Sequence, residues 1–242
     1  MSSIVNILWS GGWDSTYMLI QQLQKGKIVQ PVYIVFNKRL INDLELKAMD
    51  TIRNNLLKIN KFKDKILPIK FINERDIPDN QEITNSRNYL YEKYGLGIQY
   101  STIAKYALMD KGIMLGLEKT PTKGAGITQA IRNDAKLVLD EDGVLVIDTN
   151  NSDKYINDLF GNIKFPILDI TEVEMKEKLL EWNLLYIMDD VWFCYTPIDG
   201  KPCGVCHPCE QKISCGMGYL MSDEALNRYQ IKKMINDKNI NI

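Results

Sequence analysis

The chain has 242 residues, of which 45% are hydrophobic and 25% are charged, a composition typical of a globular protein with one sizeable core. Thirty Lys and Arg residues against thirty-one Asp and Glu residues give a net charge of -1, which argues against a nucleic-acid partner and favours a small-molecule substrate. No apolar stretch approaches the roughly 18 residues of a membrane span, and no basic region with an apolar run opens the chain. We therefore expect a cytoplasmic protein without a membrane partner.

The first third of the chain alternates predicted strands and helices. The predicted elements are a strand at 4–9, a helix at 15–24, a strand at 32–36, a helix at 44–59 and a strand at 66–71. Strands that alternate with helices indicate parallel βαβ units. The sequence therefore predicts an α/β fold with a doubly wound, mainly parallel, Rossmann-like sheet.

The segment 73–97 is polar and rich in turn residues, and we interpret it as an excursion that either contributes to a substrate site or is a surface loop. The pattern beyond it predicts a helix at 98–109, a strand at 113–117, a β-hairpin at 137–147 and a helix at 171–182. Thr171 and Glu174 predict a capping box that opens the last of these helices.

The loop from Ser10 to Ser15 reads Ser-Gly-Gly-Trp-Asp-Ser and lies between the first predicted strand and helix. Backbone N–H groups and the helix dipole converge there on an anion, and glycines let the chain approach a phosphate closely. The carboxylate of Asp14 would repel that phosphate unless a divalent cation lay between them, which implies Mg²⁺. The alternative is a tight turn in which Asp14 or Ser15 caps the helix.

This loop is neither a Walker A loop nor a dinucleotide fingerprint. It resembles the S-G-G-x-D-S signature of the PP-loop ATP-pyrophosphatase family, which has an adenine nucleotide alpha-hydrolase-like fold and releases AMP and pyrophosphate. The resemblance implies that Asp14 and Ser15 act in catalysis. It also implies that ATP is bound by Trp9, Ser10, Gly11, Gly12, Trp13, Asp14, Ser15 and Thr16.

Four cysteines near the carboxyl end have the spacing C-x8-C-x2-C-x2-C: Cys194, Cys203, Cys206 and Cys209. Four thiolates in a turn-rich segment predict a closed, structural Zn²⁺ site. An iron–sulfur cluster, a C-x-x-C-H haem attachment and buried free thiols are the alternatives. We expect a nucleotide-binding domain over 1–190, followed by a zinc knuckle and carboxyl-terminal helices over 191–242.

Several further residues are weaker candidates. Glu118 ends a predicted strand, where ligands of α/β sheets bind, and Lys38 or Arg39 could neutralise phosphate charge. His207 is interpreted as a surface residue beside the metal site, and Cys215 as a buried apolar side chain.

The loop and the cysteine spacing together resemble the 7-cyano-7-deazaguanine synthase family of queuosine biosynthesis. The resemblance extends to Cys194-Tyr195 and Cys203-Gly204, whereas the family's Pro-Gly-Arg-Asn and Gly-Tyr-Pro-Asp-Cys-Arg motifs are missing. It implies a homodimeric ATP-dependent carbon–nitrogen ligase that converts 7-carboxy-7-deazaguanine and ammonia to the nitrile, with ATP, Mg²⁺ and Zn²⁺ as cofactors and no direct nucleic-acid partner.

Two other hypotheses stay open. The first is a divergent PP-loop enzyme that adenylates another carboxylate or a related deazaguanine, in DNA modification or defence, or that transfers sulfur. The second is a non-catalytic nucleotide sensor or zinc interaction module. The acidic residue in the loop argues against the second, since a scaffold has no need of a carboxylate there.

Overall fold

The computed structural model describes residues 3–37, 41–119 and 126–239. Lys38 and Arg39 lie outside these ranges. Within them the strands are β1 (Ile4–Leu8), β2 (Ile28–Val35), β3 (Lys70–Asn73), β4 (Ile113–Met114), β5 (Leu137–Leu139), β6 (Leu145–Ile147) and β7 (Ile163–Phe165). The helices are α1 (Trp13–Gln24), α2 (Asn42–Leu57), α3 (Gln81–Tyr94), α4 (Gln99–Met109), α5 (Ile127–Asp134), α6 (Lys154–Phe160), α7 (Glu172–Glu181), α8 (His207–Ser214) and α9 (Asp223–Asn239).

The strands form one sheet in the order β3-β2-β1-β4-β7-β6-β5. The pairs from β3 to β7 are parallel, and β5 and β6 add an antiparallel hairpin at one edge. The predicted doubly wound, mainly parallel α/β fold is therefore confirmed. The strand order reverses between β1 and β4, and ligands of such sheets bind beyond the carboxyl ends of the strands at that point.

Two hydrophobic cores cover the two faces of the sheet. One contains buried side chains of α1, α2 and α7, and the other contains those of α3, α4 and α6. Helices on both faces explain why β1 and β2 read as nearly continuous apolar runs. No helix of the described ranges is both long and apolar enough to cross a bilayer.

The predictions for the hairpin and for the capping box are confirmed. Leu137 pairs with Ile147 across the hairpin. At the start of α7 the Thr171 side chain accepts the N–H of Glu174, while the Glu174 carboxylate accepts the N–H of Thr171.

The interpretation of 73–97 as an irregular excursion was wrong, because most of this segment is α3. Asn80 caps that helix by accepting the N–H of Ile83. The buried positions 83, 86, 90 and 94 follow a helical period, which the intervening polar residues obscure. The third strand also lies later than predicted, at β3.

Candidate functional site

The loop from Ser10 to Ser15 leaves the carboxyl end of β1 and enters α1, as predicted. Gly11 has φ +70°, and a Cβ there would lie 3.0 Å from Cγ of Met49, so this position requires glycine. Gly12 is the N-cap of α1 and supplies no capping side chain. The first amides of α1 therefore face the loop, where an anion would bind.

The two loop serines lie close together. The Ser15 hydroxyl accepts the N–H of Ser10 at 3.3 Å and lies 3.4 Å from the Ser10 hydroxyl. It also lies 3.4 Å from the carbonyl oxygen of Gly12. These separations exceed the usual 2.7–2.8 Å of O–H···O bonds, so a phosphate oxygen would offer both hydroxyls a closer partner.

Trp9, just before the loop, and Trp13, within it, differ in the hydrogen bonding of their indole N–H groups. The Trp9 indole N–H donates to the hydroxyl of Thr16 at 3.0 Å. Thr16 is fully buried, so among the predicted ATP ligands it supports Trp9 within the core and does not line the cavity. The indole N–H of Trp13 is buried without a partner among the described residues, and its ring lines the cavity.

Three carboxylates from different elements meet beside this loop. Asp14 lies in the first turn of α1, Glu118 lies beyond the carboxyl end of β4, and Glu172 is the first residue of α7. One oxygen from each lies within 4.8 Å of the others. Each residue also has a buried oxygen without a hydrogen-bond partner among the described residues. We call these three residues the acidic cluster.

Helix α8 supplies the only positive charge described at this cluster. The Lys212 ammonium pairs with Glu172 and lies 5.4 Å from the ring centre of Trp13. The neighbouring Gln211 amide donates to Glu118. The Lys212 side chain is only 6% exposed, so its charge acts inside the protein.

Burial dominates the electrostatics of the cluster. It raises the pKa of Asp14 from 3.8 to about 6, with Lys212 opposing and Glu172 adding to the shift. Burial, followed by the charges of Asp14 and Glu172, raises the pKa of Glu118 from 4.5 to about 9. Burial would lower the pKa of Lys212, but the carboxylates around it raise the pKa overall.

The donor set of the acidic cluster fits a divalent cation. Three carboxyl groups face one ammonium, and with Glu118 protonated the charges of Asp14 and Glu172 still exceed that of Lys212. Three of their oxygens have no hydrogen-bond partner among the described residues. Hard oxygen ligands of this kind suit Mg²⁺, which usually takes one or two carboxylates together with phosphate oxygens. Asp14, Glu118 and Glu172 are therefore the residues that would hold it.

Gly116 allows the loop to approach the sheet. A Cβ on this residue would lie 3.1 Å from the backbone nitrogen of Ser15 and 3.2 Å from the carbonyl carbon of Asp14. A larger residue would push the start of α1 away from Glu118. The close packing of the segment after β4 against the start of α1 thus brings Asp14 and Glu118 together.

A cavity of about 390 Å³ extends from the acidic cluster across the carboxyl ends of β1, β2 and β4. Its volume lies within the range of small-molecule sites. Its lining includes the loop serines, the acidic cluster and Lys212. Apolar and aromatic side chains also line it: Val32, Ile34, Phe36, Ile41, Tyr100, Ile103, Leu115 and Leu117. A ligand with charged and planar apolar parts fits this mixed lining.

The four predicted cysteines lie together and form the candidate metal knuckle. Cys206 Sγ is 3.8 Å from Cys194 Sγ and 3.4 Å from Cys209 Sγ, and the sulfurs of Cys203 and Cys209 are 3.9 Å apart. Metal–sulfur bonds of ~2.3 Å around one tetrahedral zinc place the sulfurs ~3.8 Å apart. The four thiols therefore fit a carboxyl-terminal zinc knuckle.

Backbone amides further favour thiolates in this knuckle. The N–H of Cys203 donates to Cys194 Sγ at 3.2 Å, and the N–H groups of Val205 and Cys206 donate to Cys203 Sγ at 3.4 and 3.3 Å. Hydrogen bonds to the charged form stabilise it. This donor pattern suits sulfurs that share their charge with a metal ion.

The remaining two candidates, His207 and Cys215, lie in different environments. His207 opens α8, is exposed and lines the cavity. Cys215 is partly buried against the core and is absent from the described cavity lining, but its role is not purely apolar as predicted. Burial, followed by the neighbouring Glu172 carboxylate, raises the pKa of its thiol.

Glu172, Gln211 and Lys212 were missed as site residues. Glu172 lies inside the predicted capping box, but its side chain turns inward to the acidic cluster. A recognisable signal was its position in the first turn of a helix that follows a strand of the sheet, where an acidic residue can face a ligand. Lys212 lies one turn after Cys209, and its spacing alone carries no such signal.

Comparisons with known proteins give the chain no family. No protein-family profile matches it, and no curated protein matches it. A predicted subunit of tRNA methyltransferase from Methanocaldococcus jannaschii shows 12% identity and a TM-score of 0.33 over 80% of this chain and 93% of its own.

The U34-tRNA thiolase NcsA from Methanococcus maripaludis, solved with its 4Fe–4S cluster, shows 13% identity and a TM-score of 0.38 over 97% of this chain and 72% of its own. At these scores neither structure bears on function. The α/β fold class rests on the strand order described above.

Proposed function

We propose that this chain is an ATP-dependent enzyme that activates a carboxylate by adenylation. The observation that carries the proposal is the buried acidic cluster at the amino end of α1, beside the Ser-Gly-Gly loop. An acidic cluster next to an anion-binding helix end is electrostatically unfavourable by itself. A metal–polyphosphate ligand removes that conflict, because it presents positive and negative charge to the appropriate groups.

In the proposed reaction the loop residues bind phosphate and the acidic residues bind the metal ion. The amides and hydroxyls of the loop 10–15 hold the β- and γ-phosphates as the pyrophosphate leaves. Asp14, Glu118 and Glu172 hold Mg²⁺, which supplies neutralisation of phosphate charge. Lys212 limits the negative charge of the empty cluster. The apolar and aromatic side chains of the cavity receive planar rings, and catalysis rests on positioning.

The specific reaction that we propose is conversion of 7-carboxy-7-deazaguanine to 7-cyano-7-deazaguanine. A carboxylate oxygen attacks the α-phosphorus of ATP and pyrophosphate leaves. Ammonia then adds to the acyl carbon and AMP leaves, which gives the amide. The amide oxygen attacks the α-phosphorus of a second ATP and pyrophosphate leaves. Loss of AMP and of both amide N–H protons then yields the nitrile. Support comes from the pairing of the loop with the cysteine spacing.

Zn²⁺ is the ion that we propose for the metal knuckle. The sulfur separations support a single tetrahedral ion. The thiolates of an iron–sulfur cluster bind different iron atoms and would therefore lie farther apart. With all ligands supplied by cysteine, no coordination position remains for substrate, so the ion has a structural role.

Adenylation of another carboxylate is the second candidate. It is favoured by the absence of the family's Pro-Gly-Arg-Asn and Gly-Tyr-Pro-Asp-Cys-Arg motifs. Sulfur transfer is less favoured, since it usually needs a reactive cysteine and none belongs to the described cavity lining. Homodimer formation and the absence of a nucleic-acid partner remain part of the proposal.

The test is an assay of AMP and pyrophosphate release with Mg²⁺, ammonium and a panel of carboxylates. We expect release with 7-carboxy-7-deazaguanine and two AMP for each nitrile detected by mass spectrometry. Release with another carboxylate alone would select the second candidate. Absence of nucleotide cleavage with every carboxylate, from protein that binds ATP, would support a non-catalytic sensor and overturn the proposal.

A further inference from the structure

Helix α8 connects the metal knuckle to the acidic cluster. It runs from His207 to Ser214, contains the knuckle residue Cys209 and carries Lys212 one turn later. Among the residues of this helix, Cys209 and Lys212 are the buried ones. The helix is therefore anchored in the protein by one candidate metal ligand and one charged side chain.

A helix of this length does not hold its own position. Helices shorter than about 12 residues are marginal in water without tertiary contacts. The segment before α8 is rich in turns, and its ordering depends on the metal that the cysteines bind. The knuckle therefore determines where the amino end of α8 lies, and with it where Lys212 lies.

Lys212 occupies the place that a cation would seek in the acidic cluster. Its ammonium pairs with Glu172 and lies near the carboxyl groups of Asp14 and Glu118. A divalent cation bound to the same carboxylates would be repelled by that ammonium. The repulsion is strong because the side chain is 6% exposed and little screened by water.

We propose that Lys212 is an internal counter-cation, held in place by the metal knuckle, that weakens divalent-cation binding at the acidic cluster. The inference rests on the proposed function for the identification of that cluster as a cation site. It adds that the two candidate metal sites are coupled. Loss of the knuckle metal frees α8 and moves Lys212 away from the acidic cluster. The cluster then binds divalent cations more tightly.

The first experiment measures Mn²⁺ binding to the full chain without nucleotide, by the electron paramagnetic resonance signal of free Mn²⁺. We expect Lys212→Met to bind Mn²⁺ about tenfold more tightly or better. Lys178→Met removes an exposed lysine of α7 that pairs with Glu181 and is the matched control. It should leave the affinity unchanged. Equal affinity in Lys212→Met and the wild type would overturn the inference.

The second experiment tests the coupling by a double-mutant cycle. Cys206→Ser should tighten Mn²⁺ binding in the wild-type background and have no further effect in the Lys212→Met background. Equal factors in the two backgrounds would show independent sites and overturn the coupling. Circular dichroism and a thermal melt establish that each variant is folded.

If Cys206→Ser does not fold, a reciprocal measurement tests the coupling between the two sites. Coupling between two sites is symmetric, so Mg²⁺ at the acidic cluster should speed the release of zinc from the wild-type knuckle to a chelating dye. Lys212→Met should abolish this acceleration. Unchanged release with Mg²⁺ in the wild type would contradict the proposal.

These outcomes are distinct from failure of the proposed function. Binding is measured without turnover, so an absence of AMP formation leaves the coupling intact. Asp14→Asn is the control for the site itself. If the wild type, Lys212→Met and Asp14→Asn all bind Mn²⁺ equally, the cluster is not the cation site, and both proposals fall. If only the Lys212→Met effect is missing, the proposed function stands.

Discussion

The acidic cluster and the metal knuckle are two candidate ion sites that the chain builds in opposite ways. The knuckle takes its ligands from one short stretch between Cys194 and Cys209, whereas the cluster joins Asp14, Glu118 and Glu172 from three distant parts of the chain. Spacing alone therefore predicted the first, but only part of the second. Local sites follow from turn geometry, and distributed sites require the tertiary fold.

The two sites also differ in what stabilises them. Metal binding and folding are one process in a short cysteine-rich segment. The acidic cluster is instead held by the sheet and by α1 and α7, which keep carboxylates buried despite the desolvation cost. We therefore expect loss of the knuckle to affect stability first and loss of a cluster residue to affect chemistry first.

The largest expected effect is on turnover. Asp14→Asn should reduce Mg²⁺-dependent AMP formation about a hundredfold or more, because a cation ligand beside the phosphates is lost. The melting temperature should stay within a few degrees, since the substitution removes buried charge and keeps the shape. Asp43→Asn changes an exposed acidic residue in the first turn of α2 and is the control. If Asp14→Asn turned over at the wild-type rate at saturating Mg²⁺, the acidic cluster would not be the site of the chemistry.

The next effect is on stability. Cys206→Ser should remove the metal, measured as one zinc per wild-type chain by elemental analysis, and lower the free energy of unfolding by about 3 kcal/mol. Cys215→Ser changes the cysteine outside the knuckle and should cost less. A metal-bound, stable Cys206→Ser protein that has lost only turnover would reverse the comparison, as would iron in place of zinc.

The third prediction concerns how the stability of the protein depends on pH, which tests the electrostatics of the acidic cluster. Because the pKa of Glu118 rises from 4.5 to about 9 on folding, the folded protein keeps a proton that the unfolded chain releases above about pH 4.5. Stability without Mg²⁺ should therefore fall as pH rises, by about 3 kcal/mol between roughly pH 6 and 8.

Glu118→Gln should flatten this dependence, because a neutral amide has no proton to release. Denaturant unfolding at several pH values measures it, with the knuckle metal kept bound. A slope that is identical in Glu118→Gln and the wild type would show that the charge of Glu118 is compensated in another way.

The smallest expected effect is geometric. Gly116→Ala places a methyl group 3.1 Å from the Ser15 nitrogen, which should cost about 1 kcal/mol in stability and raise the KM for ATP by displacing the loop. Gly218→Ala meets only Leu226 at 3.4 Å and is the control. Isothermal titration with an ATP analogue measures this effect. Equal affinities of Gly116→Ala and Gly218→Ala would contradict the prediction.

Some elements of the structure could be predicted from the sequence and others could not. The loop 10–15, the hairpin at 137–147 and the capping box of α7 were predictable, because each depends on residues close in the chain. Helix α3 was missed since polar residues hide its buried face. Its cap at Asn80 and its buried positions at 83 and 90 were nonetheless present.

The sequence by itself determined the alternating α/β pattern, the strand-loop-helix unit around Ser10 and the metal spacing of the cysteines. Backbone preferences and side-chain period act over a few residues, so they remain readable in one dimension. Only the tertiary structure decided that Glu118 and Glu172 join Asp14 and that Lys212 reaches them. Those contacts depend on the reversal of strand order between β1 and β4 and on the position of α8, neither of which a local pattern encodes.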